Sequence, residues 1–211
     1  MDQGGRPAPT AVIDWTTPPD TKPDWLFGAG ATRAERSLIW AGSLIGLAFV
    51  GWQWLAGEPG DWRVWQYLLA ALVALDLAGG AVSNVASSTK RQYFGPYTGP
   101  VSTTSRIARN PLIFAALHVY PFIIVGLFPG GRWWWALAVY LGMLAAVLVL
   151  DRLTPQYLQR PVAMVIFVVV ILLSTAYPAP PGWAWFPAIY FAKLVLGHAV
   201  REEPYRPAVG T

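Results

Sequence analysis

Residues 64–86 read VWQYLLAALVALDLAGGAVSNVA, a run of 23 residues whose one ionisable side chain is Asp76. A helix of this length extends about 35 Å, enough to cross the roughly 30 Å hydrocarbon core of a bilayer. Backbone groups in lipid must be hydrogen-bonded within their own segment. The run therefore predicts a membrane-spanning α-helix.

Further apolar segments of similar length lie at 37–56, 110–128, 132–150, 161–177 and 182–200. Hydrophobic residues make up 55% of the 211 positions and charged residues only 12%, which is about half the charged share of soluble proteins. The sequence predicts an all-α integral membrane bundle of six transmembrane helices in residues 34–203. We expect a disordered cytoplasmic tail at 1–33 and a second tail at 204–211.

Basic residues indicate the orientation of this bundle. Twelve of the 15 lysines and arginines fall on one predicted side, before the first span, after the last span and in the connections 87–109 and 151–160, whereas Arg63 and Arg132 are alone on the other side. Basic residues concentrate in cytoplasmic loops, so both termini and the long 87–109 loop are predicted to be cytoplasmic. We expect a multi-pass protein of a bacterial cell membrane. Topology explains the net charge of +4, which therefore does not indicate a nucleic-acid partner.

Tryptophans cluster at the predicted outer ends of the spans. Nine of the 12 lie there, namely Trp52, Trp54, Trp62, Trp65, Trp133, Trp134, Trp135, Trp183 and Trp185. Amphipathic indole rings anchor membrane proteins at the interface. The pattern predicts that most of these rings are interfacial anchors.

Three ionisable residues, Asp76, His118 and Lys193, lie inside predicted spans. Such groups are costly in a bilayer and usually mark a functional site or a buried pair. All three fall roughly 10 to 15 Å below the predicted cytoplasmic surface, so we expect one catalytic site facing the bundle interior. The alternatives are a snorkelling Lys193, a purely structural Asp76–Lys193 pair and a packing role for His118.

Small and polar residues on the same helices predict close contacts. Gly42 and Gly46 form a GxxxG pattern, which favours tight helix packing. Asn84 is expected to form a hydrogen bond across a helix contact. Pro121 lacks an N–H group, so a kink is predicted there, with the carbonyl group of Leu117 left exposed.

Polar residues near the predicted cytoplasmic surface are candidates for substrate binding: Asn84, Lys90, Arg91, Tyr93, His198 and Arg201. Basic side chains among hydroxyl groups suit a polar or phosphate head group. The topology rule already accounts for the basic residues, so simple contact with membrane lipid is the competing interpretation. The chain has no cysteine and no recognisable metal-ligand spacing, so neither a metal nor a cofactor is predicted.

The motifs that carry a family resemblance are Asp76-Leu-Ala-Gly79-Gly80 with Asn84, Thr89-Lys90-Arg91, His118 with Pro121, and the segment from Lys193 to Tyr205. On these residues the chain resembles an uncharacterised family of small bacterial multi-pass integral membrane proteins. The resemblance covers most of residues 37–207. It implies a multi-helix membrane fold and assigns no activity.

Three functions fit these residues. The first is an enzyme that acts on a lipophilic substrate, such as an isoprenoid, by acid–base chemistry at Asp76 with His118 and Lys193. The second is a proton-coupled small transporter or channel, which at this size would need to form a homo-oligomer. The third is a structural subunit of a membrane complex. The expected partners are membrane lipid and a lipophilic or small-molecule substrate, with a homo-oligomer as a further alternative.

The predicted topology can be tested by cysteine labelling, because the chain is free of cysteine. Single cysteines in the 57–63 and 129–131 connections should react with an impermeant maleimide added outside intact cells. Single cysteines in 87–109 should react only after the cells are opened. External labelling of the long loop would contradict the six-span arrangement.

Overall fold

The computed structural model describes residues 12–13, 21–95, 103–201 and 205–206. Most of the two predicted tails, 1–33 and 204–211, therefore lies outside the described residues. The described part is helical apart from two short strands, β1 (Val12–Ile13) and β2 (Tyr205–Arg206), which pair antiparallel. This pairing brings segments close to the two chain ends together.

Within the described residues, four helices are long and apolar enough to cross a membrane. They are α1 (Arg33–Leu55), α2 (Val64–Val85), α7 (Trp133–Leu148), which continues as a π-helical turn (Val149–Leu153), and α8 (Gln159–Ala176), which follows a 3₁₀ turn (Gln156–Leu158). The prediction of an all-α, membrane-type protein is confirmed at this level.

The other two predicted spans form shorter, interrupted helices. The third is divided into α5 (Pro111–Ala116) and α6 (Tyr120–Leu127), and the last is α9 (Phe186–Phe191) followed by a π-helical segment (Ala192–Ala199). We refer to α9 and this π-helical segment together as the last helix. Wide π-helical turns are rare and frequently occur at functional sites.

The break between α5 and α6 confirms the predicted kink but corrects its detail. The Leu117 carbonyl group is not left without a donor, since it accepts a hydrogen bond from the Val119 amide at 3.0 Å. Instead, the carbonyl groups of Ala116 and His118 accept bonds from the hydroxyl groups of Tyr140 and Tyr190, at 2.8 and 2.6 Å. Two neighbouring helices thereby stabilise the interruption.

The 87–109 connection contains two helices, α3 (Ser87–Phe94) and α4 (Thr103–Arg109). Residues 21–32, which the sequence assigned to the disordered tail, have a defined position against α2 and α3. The hydroxyl groups of Ser83 and Ser88 each donate a 2.6 Å bond to this segment, to the carbonyl groups of Leu26 and Phe27. Gly28 has a φ of 75°, and a Cβ atom there would lie 2.3 Å from the Thr89 amide nitrogen. Glycine is therefore required for this close approach.

Tryptophans divide between the surface and the core. Five of the nine predicted anchors are exposed, namely Trp52, Trp54, Trp65, Trp133 and Trp134. Trp62, Trp135 and Trp183 are buried, and Trp62 and Trp183 pack with Phe128 in one aromatic cluster. For these three residues the prediction of an interfacial anchor is wrong, because the rings fill space between helices.

Helices α1 and α2 pack closely through the GxxxG pattern, as predicted. A Cβ atom on Gly46 would lie 2.6 Å from the Ala74 carbonyl oxygen, and one on Gly42 would lie 2.7 Å from a Val82 methyl group. Only glycine lets the two backbones approach this far.

We expect Gly46→Ala to lower the melting temperature, since overpacking typically costs about 1 to 3 kcal/mol. Gly51→Ala is the matched control, because Gly51 lies in the same helix and a Cβ atom there meets nothing within 4 Å. Alanine exceeds glycine in helix propensity by about 1 kcal/mol, so this control should be neutral or stabilising. Thermal unfolding followed by tryptophan fluorescence measures both variants, and equal loss in the two would contradict the packing explanation.

Candidate functional site

The centre of the candidate site is an ion pair between α2 and the last helix. The ammonium group of Lys193 lies 2.6 Å from Oδ2 of Asp76 and donates a hydrogen bond to it. The two residues are far apart in sequence, and only the packing of the last helix against α2 brings them together. The expected contact between Asp76 and Lys193 is therefore present.

A glycine on α2 makes room for the Lys193 side chain. A Cβ atom on Gly80 would lie 2.6 Å from Cε of Lys193, so the aliphatic chain of the lysine lies flat against α2. The amide of Asn84 donates a 3.1 Å bond to the Lys193 carbonyl group, which belongs to the π-helical segment. Asn84 thus forms the predicted contact between helices and positions the backbone that carries the lysine.

Tyr120 completes the hydrogen bonding of Asp76 and was absent from the predicted site. Its hydroxyl group donates a 2.8 Å bond to the same Oδ2 atom that receives the Lys193 ammonium group. Tyrosine is common at membrane interfaces, so its residue type alone gave no sign of this role. Its position immediately before Pro121, where the helix restarts, was the available signal.

His118 lies beside this group but does not form a hydrogen bond with Asp76. Its ring packs edge-on against Tyr120, with centroids 5.8 Å apart, and its Nδ1 atom lies 2.7 Å from the Phe114 carbonyl oxygen. Because a carbonyl oxygen can only accept, Nδ1 must donate, which leaves Nε2 as the acceptor of the neutral ring. His118 is therefore connected to Asp76 through the Tyr120 side chain.

Exposure differs sharply between the two partners of the ion pair. The Lys193 side chain is 5% exposed, whereas the Asp76 side chain is 42% exposed. Leu68 and Leu72 precede Asp76 at helical spacing and are 59% and 64% exposed, so Asp76 continues an outward-facing stripe of α2. The expectation that all three polar residues face the bundle interior is therefore wrong for Asp76, which opens onto the outer surface.

Besides Asn84, four of the predicted substrate-binding residues are buried, namely Lys90, Arg91, Tyr93 and His198. The Lys90 ammonium group donates to the carbonyl groups of Gly197 and Val200. These contacts give Lys90 the function of a cap on the last helix. Burial also raises the pKa of the Tyr93 hydroxyl above its ordinary value, so this group stays protonated at neutral pH.

His198 packs face to face on Phe114, with ring centroids 3.9 Å apart. The Ala108 carbonyl group faces the imidazole, but neither ring nitrogen forms a hydrogen bond with a described residue. Arg201, the remaining predicted binding residue, belongs to a different cluster, since it donates to Asp151 at 2.9 Å. The assignment of these residues to substrate binding stays a prediction.

The fold and the site define an α-helical protein with four helices suited to crossing a membrane and an ion pair between two of its helices. Comparison with protein-family models, curated proteins and solved structures found no match to this chain. The resemblance to a bacterial membrane family therefore stays a prediction, and the site has to be interpreted from its own chemistry.

Removing only one partner of the ion pair should destabilise the protein more than removing both partners. Lys193→Met leaves the Asp76 charge without its ammonium partner, and breaking a buried pair generally costs about 3 to 5 kcal/mol. We expect the double variant Asp76→Asn with Lys193→Met to recover most of the lost stability. Melting temperatures of the wild type, both single variants and the double variant in detergent provide the test. A loss in the double variant equal to the sum of the two single losses would show that the pair is not coupled.

Proposed function

We propose that this protein is a membrane-embedded enzyme that uses Asp76 for acid–base chemistry on a lipophilic substrate. Exposure of the Asp76 carboxylate supports this proposal most directly. A pair that only held two helices together would be best sealed between them, whereas this carboxylate continues the outward-facing stripe of Leu68 and Leu72. A substrate dissolved in the bilayer could reach it from the side.

In this proposal the chain crosses a bacterial cell membrane six times, with both termini in the cytoplasm. The uneven distribution of basic residues supports the orientation. The two interrupted helices, Pro111–Leu127 and Phe186–Ala199, are apolar but shorter than the other four. Broken helices are tolerated at membrane depth when their backbone groups are satisfied inside the protein, as those of Ala116 and His118 are.

The residues around Asp76 would have different roles in this reaction. Lys193 and Tyr120 both donate to Oδ2 of Asp76. Oδ1 accepts no hydrogen bond from the described residues and remains available to a substrate. A paired ammonium group keeps the carboxylate ionised, and the ionised form is the one that a general base requires. Tyr120 orients the carboxylate, and His118 packs beside Tyr120, where its Nε2 atom can take part in proton exchange.

Proton-coupled transport is the second candidate. Its support is the coincidence of two discontinuous helices at one ion pair, because transporters often build their binding sites from interrupted helices near the middle of the bilayer. The α5–α6 break supplies Tyr120 and His118, and the π-helical segment supplies Lys193. A transporter with these few spans would function as a homo-oligomer.

A function test needs a variant that loses the acid–base group without losing the fold. Asp76→Asn alone would leave the ammonium group of Lys193 without a charged partner, although its side chain is only 5% exposed. The double variant Asp76→Asn with Lys193→Met is preferable because it removes both charges. We expect this variant to be produced at wild-type levels in a deletion strain and to fail to restore function, because neither new side chain can exchange a proton. Asp61→Asn is the matched control, since the same chemical change then occurs at an exposed loop residue.

Mass spectrometry of lipid extracts from these strains distinguishes the candidates. If the protein is an enzyme, its lipophilic substrate should accumulate and its product should disappear in both the deletion strain and the double variant. A transporter predicts the same compounds redistributed between cells and medium. Full complementation by the double variant would contradict both and favour the structural subunit.

A further inference from the structure

A cavity of about 430 Å³ opens where α4, the start of α5, the π-helical turn after α7 and the end of the last helix meet. Its lining includes four arginines, one carboxylate and one amide, namely Arg106, Arg109, Arg152, Arg201, Asp151 and Asn110. We call it the arginine pocket. Among the described lining residues, four guanidinium groups and one carboxylate leave three positive charges in excess.

Asp151 holds two of these arginines in position. Its Oδ1 atom accepts from Arg201 and its Oδ2 atom from Arg152, each at 2.9 Å. The Asp151 side chain is only 8% exposed, whereas those of Arg201 and Arg152 are 47% and 64% exposed. Both carboxylate oxygens are thus occupied, and the guanidinium groups still present N–H donors to the cavity.

The other two arginines come from α4. A terminal nitrogen of Arg109 donates a 3.1 Å bond to the Gln92 carbonyl group, which fixes this side chain against α3. Arg106 is exposed and forms no hydrogen bond or ion pair with the residues described in 21–95 and 103–201. Its charge is therefore not balanced within that part of the chain.

We propose that the arginine pocket is a phosphate-binding site. Guanidinium groups match the oxygens of phosphate with paired, charge-assisted hydrogen bonds, and three positive charges in excess suit an anion. An apolar groove between α7 and α8 is lined by Val149 and Leu158, which flank Arg152 in sequence. A phosphorylated lipid could therefore lay its chain in this groove and its phosphate among the arginines. The pocket shares no residue with the ion pair of Asp76, so it stands independently of the proposed enzyme.

Native mass spectrometry of the full chain, released from a neutral detergent, tests this proposal. The probes are dioleoyl phosphatidic acid, dioleoyl phosphatidylcholine and inorganic phosphate. We expect one phosphatidic acid to be retained in preference to phosphatidylcholine. The double variant R106Q/R152Q should bind it at least about tenfold more weakly, because two charge-assisted hydrogen bonds are lost.

The matched control is R33Q/R36Q, which removes two charges on the same predicted side of the membrane and leaves the pocket intact. It should bind within about twofold of the wild type, since neither residue lines the pocket and salt screens the interaction between separated surface charges. Equal weakening in both double variants, or undiminished binding in R106Q/R152Q, would overturn the proposal. If R106Q/R152Q proves unstable, R106Q alone keeps the test decisive, because Arg106 contacts no described polar partner. It should then still weaken binding measurably.

A competition experiment distinguishes a lipid head group from free phosphate as the ligand of the pocket. Displacement of phosphatidic acid by millimolar inorganic phosphate would support a site that recognises free phosphate. Retention of the lipid under the same conditions would support a lipid head group. If neither phosphatidic acid nor inorganic phosphate binds the wild type, the proposed site is refuted.

Discussion

Carbonyl groups released by interrupted helices must find donors inside the protein, and this constraint organises much of the structure. The break between α5 and α6 depends on the hydroxyl groups of Tyr140 and Tyr190, and the π-helical segment depends on Asn84 and Lys90. Each donor comes from another helix. In an environment without water an unpaired carbonyl group is costly, so these side chains lock neighbouring helices together while they stabilise the irregular backbone. Lys90 shows the principle most clearly, since its ammonium group donates to two backbone carbonyl groups at the end of the last helix.

The ion pair of Asp76 is a consequence of those irregularities. The π-helical segment displays Lys193 toward α2, Gly80 leaves space for its chain, and the break before Tyr120 turns that hydroxyl group onto the same carboxylate. A regular helix through either segment would present different side chains at this level. Backbone distortion therefore serves the site directly, in agreement with the frequent occurrence of such distortions at functional positions. The Lys193 side chain is buried and that of Asp76 is partly exposed, which gives the site its asymmetry between a buried cation and an accessible anion.

The second polar cluster, around Asp151, differs from the first in composition and exposure. At Asp76 one cation meets one carboxylate, and the charges balance. At Asp151 two arginines share one carboxylate and two more line the same cavity, so positive charge remains in excess. Arg201 illustrates the distinction, because the sequence grouped it with the Asp76 site, whereas its contacts belong to the arginine pocket. If the protein binds phosphorylated lipids, the arginine pocket would hold the head group and the Asp76 site would carry out chemistry within the bilayer.

The sequence by itself determined the apolar helices, the close packing at Gly42 and Gly46 and the interruption near Pro121, and it singled out Asp76 and Lys193 as groups that need a partner inside a span. Each of these follows from a local feature of the sequence that has the same physical consequence in any fold. These features are an apolar run, a missing side chain, a missing N–H group and an ionisable group inside a span. Only the tertiary structure decided that Asp76 opens outward, that Tyr120 joins it, that Lys90 and His198 are buried, and that Trp62, Trp135 and Trp183 are core residues. Those outcomes depend on how each helix is rotated about its axis and on what covers each face. Helix rotation is set by side chains distant in sequence, so it cannot be read from any one segment alone.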